Sequence, residues 1–234
     1  MMQQYFATDK KDNELILNKN DENHIKNVMR FKPKDEVIVV YDNIMYNCEF
    51  ADNLLIARIK NIIKENNNNR KITAYIPILQ EEKMSFIIEK GTEMGITDFI
   101  PVQFSRCKYK LKSEAEDKKI TRWSKIAKEA AEQSRQIQIP TIHKVETVDT
   151  IELLKGVNIL CSLDKNNVKP IKQILNTKNV CDTINLLFGP EGGITKEEEN
   201  TLVEKGFIKT SLGDMVLRTE TVIIYLMSII NYLS

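Results

Sequence analysis

LLFGPEGGITKEEE, residues 186–199, holds three of the chain's eight glycines within residues 189–193, with Pro190 and Glu191 between them. An apolar run precedes the glycines, and Thr195 with Glu198 has the spacing of a helix capping box. A strand that leads through a glycine loop into a helix is typical of the ligand-binding edge of α/β proteins. The stretch therefore predicts an α/β domain with a ligand loop at 189–193.

The residues of this loop exclude the common phosphate-binding loops. The lysine of G-x-x-x-x-G-K-[ST] is absent, and the glycines do not have the G-x-G-x-x-G spacing of dinucleotide-binding proteins. Glu191 would also repel a polyanion, so the loop favours a ligand that is neutral or cationic where it meets this carboxylate. A tight turn whose glycines only supply positive φ is the alternative.

Strands and helices alternate around this loop. Apolar runs predict strands at 72–79, 99–104, 158–163, 184–188 and 208–212. Helical spacing of apolar residues predicts one helix that contains Met84 and ends near Gly95, and a longer one at 114–135. A capped helix should end at Gly206, and an apolar helix starting near Thr219 should be buried in the sheet or in a dimer. This alternation predicts a parallel sheet with both faces covered.

The N-terminal part differs from the rest of the chain in its pattern of apolar and polar residues. ENNNNRK at 65–71 is polar and lacks apolar periodicity, so it predicts a linker between domains 1–68 and 72–234. Ahead of it, stretches at 36–42, 45–51 and 54–63 are separated by Asp/Asn-rich turns, a pattern typical of a small β-domain.

Composition limits the function classes. The chain has 234 residues, 42% hydrophobic and 29% charged, typical of a soluble globular protein. Four separated cysteines without a C-x-x-C pair, and two histidines, suggest neither a disulfide framework nor a zinc site. We expect a reduced, cytoplasmic protein, because no export signal or membrane span is evident. Net charge is only +1, yet the cations concentrate in the middle of the chain, at residues 105–146.

A second unusual stretch is SLGDMVLRTETV, residues 211–222, which also follows a strand and leads into a helix. Met215, Val216 and Leu217 are apolar where a loop is normally polar, so we expect them to pack on something. Thr219 and Glu220 start the final helix, and the alternative is that they merely cap it and complement its dipole.

RCKYKLK, residues 106–112, places four cations at a period of two. If the stretch is extended, these cations share one face at intervals of roughly 6.6 Å and could follow an RNA backbone. A solvated surface is the alternative. His24 is either an RNA contact or a packed residue, and Trp123 is expected in the core or a dimer interface.

Several long motifs carry a family resemblance. FGPEGG followed by T-x-x-E, then SLG-x-x-x-LRTET before an apolar helix, resembles the closing signature of the ribosomal RNA uridine-N3 methyltransferases of the SPOUT superfamily. EKGTEMGITDFIPVQFSRC (89–107), RWSKIAKEAAEQS (122–134) and HIKNVMRFKPKDEV (24–37) are similar to other segments of that family, so the resemblance covers nearly the whole chain.

The resemblance implies a trefoil-knotted α/β methyltransferase domain with a parallel sheet, preceded by a small PUA-like β-barrel. It implies a homodimer that binds S-adenosyl-L-methionine and methylates N3 of one uridine in 16S rRNA of the small ribosomal subunit, with no metal and no membrane. A non-catalytic RNA-binding or assembly protein with the same fold is one alternative. A nucleotide-binding or NAD-dependent enzyme is another alternative. The residues of the glycine loop disfavour it, because they match neither phosphate-binding pattern.

Site residues follow from matching positions. The resemblance places the cofactor on the two loops and beside Leu163. The expected contacts are Leu163, Phe188, Gly189, Pro190, Glu191, Gly192, Gly193, Ser211, Leu212, Gly213, Leu217, Arg218 and Thr219. For catalysis, the hypothesis is that Arg218 stabilises the uridine anion, with Glu191 the weaker candidate for general base. The expected RNA contacts are His24, Arg30, Arg106, Lys108, Lys110, Arg122 and Arg135.

Overall fold

The computed structural model describes residues 2–65, 70–164, 168–176 and 183–233. The chain divides into two compact units, the first formed by Met1–Asn69 with Ala131–Gln138 and the second by Arg70–Ala130 with Ile139–Ser234. Residues 66–69 of the expected linker and Cys181 lie outside the described residues.

The first unit is a closed five-stranded β-barrel. Its strands are β1 (Gln4–Lys11), β2 (Glu14–Leu17), β3 (Glu36–Tyr41), β4 (Ile44–Phe50) and β5 (Ile56–Glu65), in the order β1-β2-β5-β4-β3. The barrel closes where β1 pairs in parallel with β3. A 3₁₀ turn at Lys19–Asp21 and a π-helix at His24–Val28 connect β2 to β3. The three strands expected in this region are confirmed as β3, β4 and β5, whereas β1 and β2 were not predicted.

Alternation explains why the barrel closes around an apolar interior. Along β3, Val37 and Val39 face the barrel core, which also holds Tyr5, Cys48 and Phe50. The β3–β4 connection is a two-residue turn in which Asp42 and Asn43 both have positive φ, the combination that matches the twist of a tight hairpin.

The second unit is built on a six-stranded sheet, confirmed as parallel throughout. The strands are β6 (Lys71–Pro77), β7 (Asp98–Val102), β8 (Thr141–Ile142), β9 (Val157–Cys161), β10 (Thr183–Phe188) and β11 (Ile208–Thr210). Their order is β11-β9-β10-β6-β7-β8, and every neighbouring pair is parallel. Five of the six strands were predicted to within a few residues, while the two-residue β8 was not.

Five helices accompany the sheet along the described chain. They are α1 (Glu81–Glu93), α2 (Ser113–Ser134), α3 (Ile171–Asn176), α4 (Lys196–Glu204) and α5 (Thr219–Tyr232). The predicted apolar faces are confirmed: Met84 and Ile87 of α1, Trp123 of α2 and Leu226 of α5 all lie in one continuous core with the sheet. The apolar final helix is therefore buried largely within its own chain.

The capping box of α4 is formed as predicted. Thr195 Oγ1 accepts a hydrogen bond from the Glu198 backbone N–H at 3.1 Å, and Glu198 accepts one from the Thr195 N–H at 3.0 Å. Because the helix begins directly after the glycine-rich segment, these bonds also set where that segment ends.

We expect Thr195→Ala to lower the free energy of unfolding by about 1 kcal/mol, because one N-terminal amide of α4 loses its acceptor. Thr201→Ala is the matched control, since the Thr201 hydroxyl donates to the Glu197 carbonyl within the same helix and does not cap it. Urea denaturation measures both. Equal effects of the two substitutions would contradict a specific role for the cap.

Candidate active site

Three loops leave the same edge of the parallel sheet. Strands β9, β10 and β11 are neighbours, and Cys161 is in register with both Phe188 and Thr210. The segments that follow are the β9 loop (162–164), the glycine loop (189–195) and the C-terminal loop (211–218). Because all three start at the carboxyl ends of adjacent parallel strands, they form one candidate ligand site.

The glycine loop contains a tight turn and packs closely against the segment that contains Arg106. The Gly193 N–H donates to the Pro190 carbonyl at 2.8 Å, and Gly193 has φ +76°. Gly192 has no positive φ, but a Cβ there would lie 3.0 Å from the Arg106 carbonyl oxygen. The alternative in which the glycines serve only positive φ therefore accounts for Gly193 and not for Gly192.

The C-terminal loop touches the glycine loop at the start of α5. The Thr219 side chain is buried, and its hydroxyl donates to the Gly189 carbonyl at 3.4 Å. The residue that precedes α5 is Arg218, which makes no side-chain capping bond. Thr219 therefore does not cap the helix, and that part of the alternative is wrong. Glu220 does lie in the first turn, as expected.

Ion pairs surround Glu191. Its carboxylate contacts Lys83 and lies 3.1 Å from Lys108 Nζ, and Lys83 Nζ also lies 3.5 Å from Glu220 Oε2. The hydrogen bond from Lys83, followed by that from Lys108, holds the pKa of Glu191 below its usual value. A carboxylate with a lowered pKa is a weaker proton acceptor, so this geometry does not favour Glu191 as a general base.

Apolar side chains are exposed around this edge. Leu163 is 68% exposed, Met215 83% and Val216 76%. Leu217 and Leu212 are partly buried against the core, while the Phe188 side chain lies inside it. The expectation that Met215 and Val216 pack on something is therefore wrong within this chain, and Phe188 can face a ligand only through its backbone.

Arg218 is free to face a ligand. Its side chain is exposed and has no ion-pair partner among the residues whose placement is described. Its carbonyl accepts the N–H groups of Thr221 and Val222, which fixes the backbone at the start of α5. The guanidinium is thus available to an anion at the junction of the two loops.

Residues 65–231 match the family of RNA methyltransferase domains. The chain is 33% identical over 225 residues to ribosomal RNA small subunit methyltransferase E of Bacillus subtilis, covering 89% of this chain and 86% of that protein. The chain belongs to the ribosomal RNA small subunit methyltransferase E family. The Mesomycoplasma hyopneumoniae member is 32% identical over 232 residues, covering 97% of this chain and 98% of its own length.

A solved structure agrees with this assignment. The methyltransferase E of Neisseria gonorrhoeae, bound to S-adenosylmethionine, superposes with a TM-score of 0.85 at 23% identity, covering 100% of this chain and 98% of that chain. Membership in the methyltransferase E family confirms the predicted enzyme class and the SPOUT-type fold with a β-barrel and a parallel sheet. It also disfavours the non-catalytic alternative.

The basic stretch 106–112 is not extended. After β7 the chain turns at residues 105–106 and bends at 108–109, and the Cys107 N–H donates to the Phe104 carbonyl at 3.2 Å. The expectation of four cations on one extended face is therefore wrong. Arg106 donates to the Gly192 carbonyl at 3.4 Å and Lys108 pairs with Glu191, whereas Lys110 and Lys112 are exposed.

The remaining residues expected to bind RNA have varied surroundings. Arg122 Nε lies 3.1 Å from Glu81 Oε1, and Arg135 is in the left-handed region with φ +57° just after α2. In the barrel, Arg30 is exposed, while the half-buried His24 shares a 2.9 Å hydrogen bond between its Nδ1 and the Tyr5 hydroxyl. The hydrogen bond matches the alternative that His24 is a packed residue.

Sequence reasoning missed two parts of the site. Lys83 was not singled out, because only the fold brings it to Glu191. The second part is a charge cluster behind the β9 loop, in which Lys209 Nζ lies 3.0 Å from Asp164 Oδ2 and 3.1 Å from Glu199 Oε2. The Ser162 hydroxyl also contacts Glu199, so the cluster ties the β9 loop to α4. Of the residues near this cluster, the sequence singled out only the capping box of α4.

Within the described ranges, no group of three or more His, Cys, Asp or Glu side chains could hold a metal ion. No described helix is both long enough and apolar enough to cross a membrane.

Proposed function

We propose that the protein transfers a methyl group from S-adenosyl-L-methionine to N3 of one uridine in the 16S rRNA of the small ribosomal subunit. The observation that carries this proposal is the junction of the glycine and C-terminal loops, where Thr219 meets Gly189 at the carboxyl edge of the sheet. The names of the relatives, and the S-adenosylmethionine bound by the Neisseria gonorrhoeae protein, support it.

The residues at this junction fit the cofactor. An adenosyl group needs backbone hydrogen-bonding groups and apolar contacts, and the exposed Leu163 lies at the same edge as the two loops. The nearby lysines, Lys83 and Lys108, are already paired with Glu191, so they do not form a cradle for phosphate. When bound, S-adenosylmethionine supplies a methyl group on a cationic sulfonium.

The cofactor contacts we propose are those expected from the sequence, with side-chain roles restricted by burial. Backbone groups of the glycine and C-terminal loops hold the ligand, together with the side chains of Leu163 and Leu217. The complete set is Leu163, Phe188, Gly189, Pro190, Glu191, Gly192, Gly193, Ser211, Leu212, Gly213, Leu217, Arg218 and Thr219.

The chain's own chemistry concerns the uridine. Methylation at N3 requires loss of the imide proton, which passes to solvent and leaves the uridine anion with negative charge on O2 and O4. A positioned cation stabilises this anion until N3 gains the methyl group. Arg218 is exposed beside the loop junction and serves this purpose in the proposal. Glu191, whose pKa is lowered by its lysine partners, keeps the glycine loop in place rather than accepting the proton.

The finer organisation belongs to the same proposal. Residues 1–68 act as a PUA-like RNA-binding domain and residues 72–234 as a trefoil-knotted methyltransferase domain, working as a cytoplasmic homodimer. The strand order fits the knotted arrangement, because β10 lies between β9 and β6, two strands that β7 and β8 separate in sequence. Support for the dimer comes from the exposed Tyr225 and Tyr232 of the apolar helix α5.

The decisive test is methyl transfer from labelled S-adenosylmethionine to small ribosomal subunits that lack the modification. Nuclease digestion and mass spectrometry of the nucleosides should give labelled 3-methyluridine. Label in another nucleoside would overturn the assignment of N3. RNA binding without any transfer would instead restore the non-catalytic alternative.

Replacing Lys110 and Lys112 by Gln should weaken RNA binding and lower the slope of log affinity against log salt by about 0.7–0.9 for each phosphate that is no longer neutralised. Both lysines are exposed and have no ion-pair partner in the described part of the chain, so S-adenosylmethionine affinity should not change. Lys155 and Lys196, exposed lysines outside residues 105–146, provide the control for total charge when both are replaced by Gln. An unchanged salt slope would mean that the basic stretch is a solvated surface and does not contact RNA.

A further inference from the structure

Lys83 lies between an acidic side chain of the glycine loop and one at the start of α5. Its ammonium contacts Glu191 in the glycine loop and lies 3.5 Å from Glu220 Oε2 at the start of α5. Lys83 itself belongs to the first turn of α1, which follows β6, the strand beside β10. One cation therefore joins three elements that are far apart in sequence.

The surroundings make this cation more important than a single surface pair. The side chains are only partly exposed, at 30% for Lys83, 32% for Glu191 and 18% for Glu220. An exposed ion pair contributes little because water and salt screen it. Removing a lysine from between two carboxylates, however, leaves two like charges facing one site, which pushes their segments apart.

Other contacts at the junction do not replace this one. The hydrogen bond from Thr219 to Gly189, at 3.4 Å, joins neutral groups, so it does not offset the repulsion between Glu191 and Glu220 that loss of Lys83 creates. Lys108 also pairs with Glu191, but its side chain is 71% exposed and it belongs to the turn after β7. The link from Glu191 to Glu220 passes through Lys83.

We propose that Lys83 is a positioning residue that holds the glycine loop and the start of α5 at the separation that the cofactor requires. The inference rests on the proposed function in taking the cofactor to lie between these two loops. Lys83 acts through Glu191 and Glu220 and does not itself touch the methyl group or the uridine.

The first test uses hydrogen exchange of the cofactor-free protein, followed by mass spectrometry. Lys83→Met should speed exchange at 189–193 and at 211–221, because both segments lose their common anchor. Lys83→Arg, which keeps the charge, should stay near wild type. Lys90→Met is the matched control on the same helix, since within the described residues Lys90 pairs with Glu89 and Glu93 of α1. Exchange in Lys83→Met no faster than in Lys90→Met would overturn the proposal.

The second test measures S-adenosylmethionine affinity by calorimetry. Lys83→Met should weaken binding by about tenfold or more, as expected when groups that must converge on a ligand are misplaced. Adding Glu220→Gln to Lys83→Met should recover part of the affinity, because one of the two repelling charges is removed. A role of the lysine stem in packing alone would give no recovery, and that result would overturn the proposal.

The two proposals can fail separately. If wild-type protein binds no S-adenosylmethionine, the proposed function fails, while hydrogen exchange still decides whether Lys83 anchors the loops. If Lys83→Met does not fold, Glu220→Gln tests the same link by removing one ion pair and should speed exchange at 211–221. Unchanged exchange in Glu220→Gln would then overturn the anchoring role.

Discussion

Arg218→Ala is expected to lower kcat for methyl transfer by about 100-fold or more, the loss typical of removing one group that stabilises charge in the transition state. The reason is that deprotonated uridine carries its charge on oxygens that need a cation, and Arg218 is an exposed cation beside the loop junction. The substitution should leave S-adenosylmethionine affinity close to wild type, because the Arg218 backbone carbonyl still accepts the N–H groups that start α5.

Single-turnover methyl transfer with saturating RNA separates this effect from weaker binding. Lys196→Ala is the control, since Lys196 is another exposed cation of the same unit at the start of α4. Wild-type turnover and affinity in Arg218→Ala would exclude the catalytic role. A loss confined to cofactor affinity would assign Arg218 to cofactor binding instead.

The parts of the fold that were predicted have local causes. The helical spacing of Met84, Ile87 and Ile88 and the capping box at Thr195 depend on residues within a few positions, so sequence alone identifies α1 and α4. The two-residue β8 has no such signal, because its pairing with β7 comes from tertiary structure. The strand order could not be predicted either, because the position of β10 between β9 and β6 depends on contacts between residues far apart in sequence.

The candidate site shows the same division. Only the family resemblance implied that the glycine loop and the 211–219 loop hold one cofactor and so lie together. The register of Cys161 with Phe188 and Thr210 explains their proximity. The basic stretch was misjudged because a period of two places side chains on one face only in an extended chain, whereas this one turns at 105–106 and bends at 108–109. The role of Lys83 depends on tertiary structure, because β6, the strand before α1, pairs with β10, the strand before the glycine loop.

Gly193→Val is expected to weaken S-adenosylmethionine binding by about 5- to 150-fold, which corresponds to a backbone strain of about 1–3 kcal/mol. Gly193 has φ +76°, a conformation in which a β-branched residue is an outlier. The valine must either keep the turn under strain or break the bond from its N–H to the Pro190 carbonyl, which is 2.8 Å long in the native loop. Breaking it displaces the backbone groups proposed to hold the cofactor.

Gly95→Val separates this local effect from general strain. Gly95 has φ +97°, and a Cβ there meets nothing within 4 Å, just as the nearest atom to a Cβ at Gly193 is 3.9 Å away. Both substitutions should therefore lower the melting temperature by similar amounts, but only Gly193→Val should reduce affinity measured by calorimetry. Gly193→Asn should fall between wild type and valine, because asparagine tolerates positive φ. Equal affinities in the two valine variants would mean that the Pro190–Gly193 turn does not shape the cofactor site.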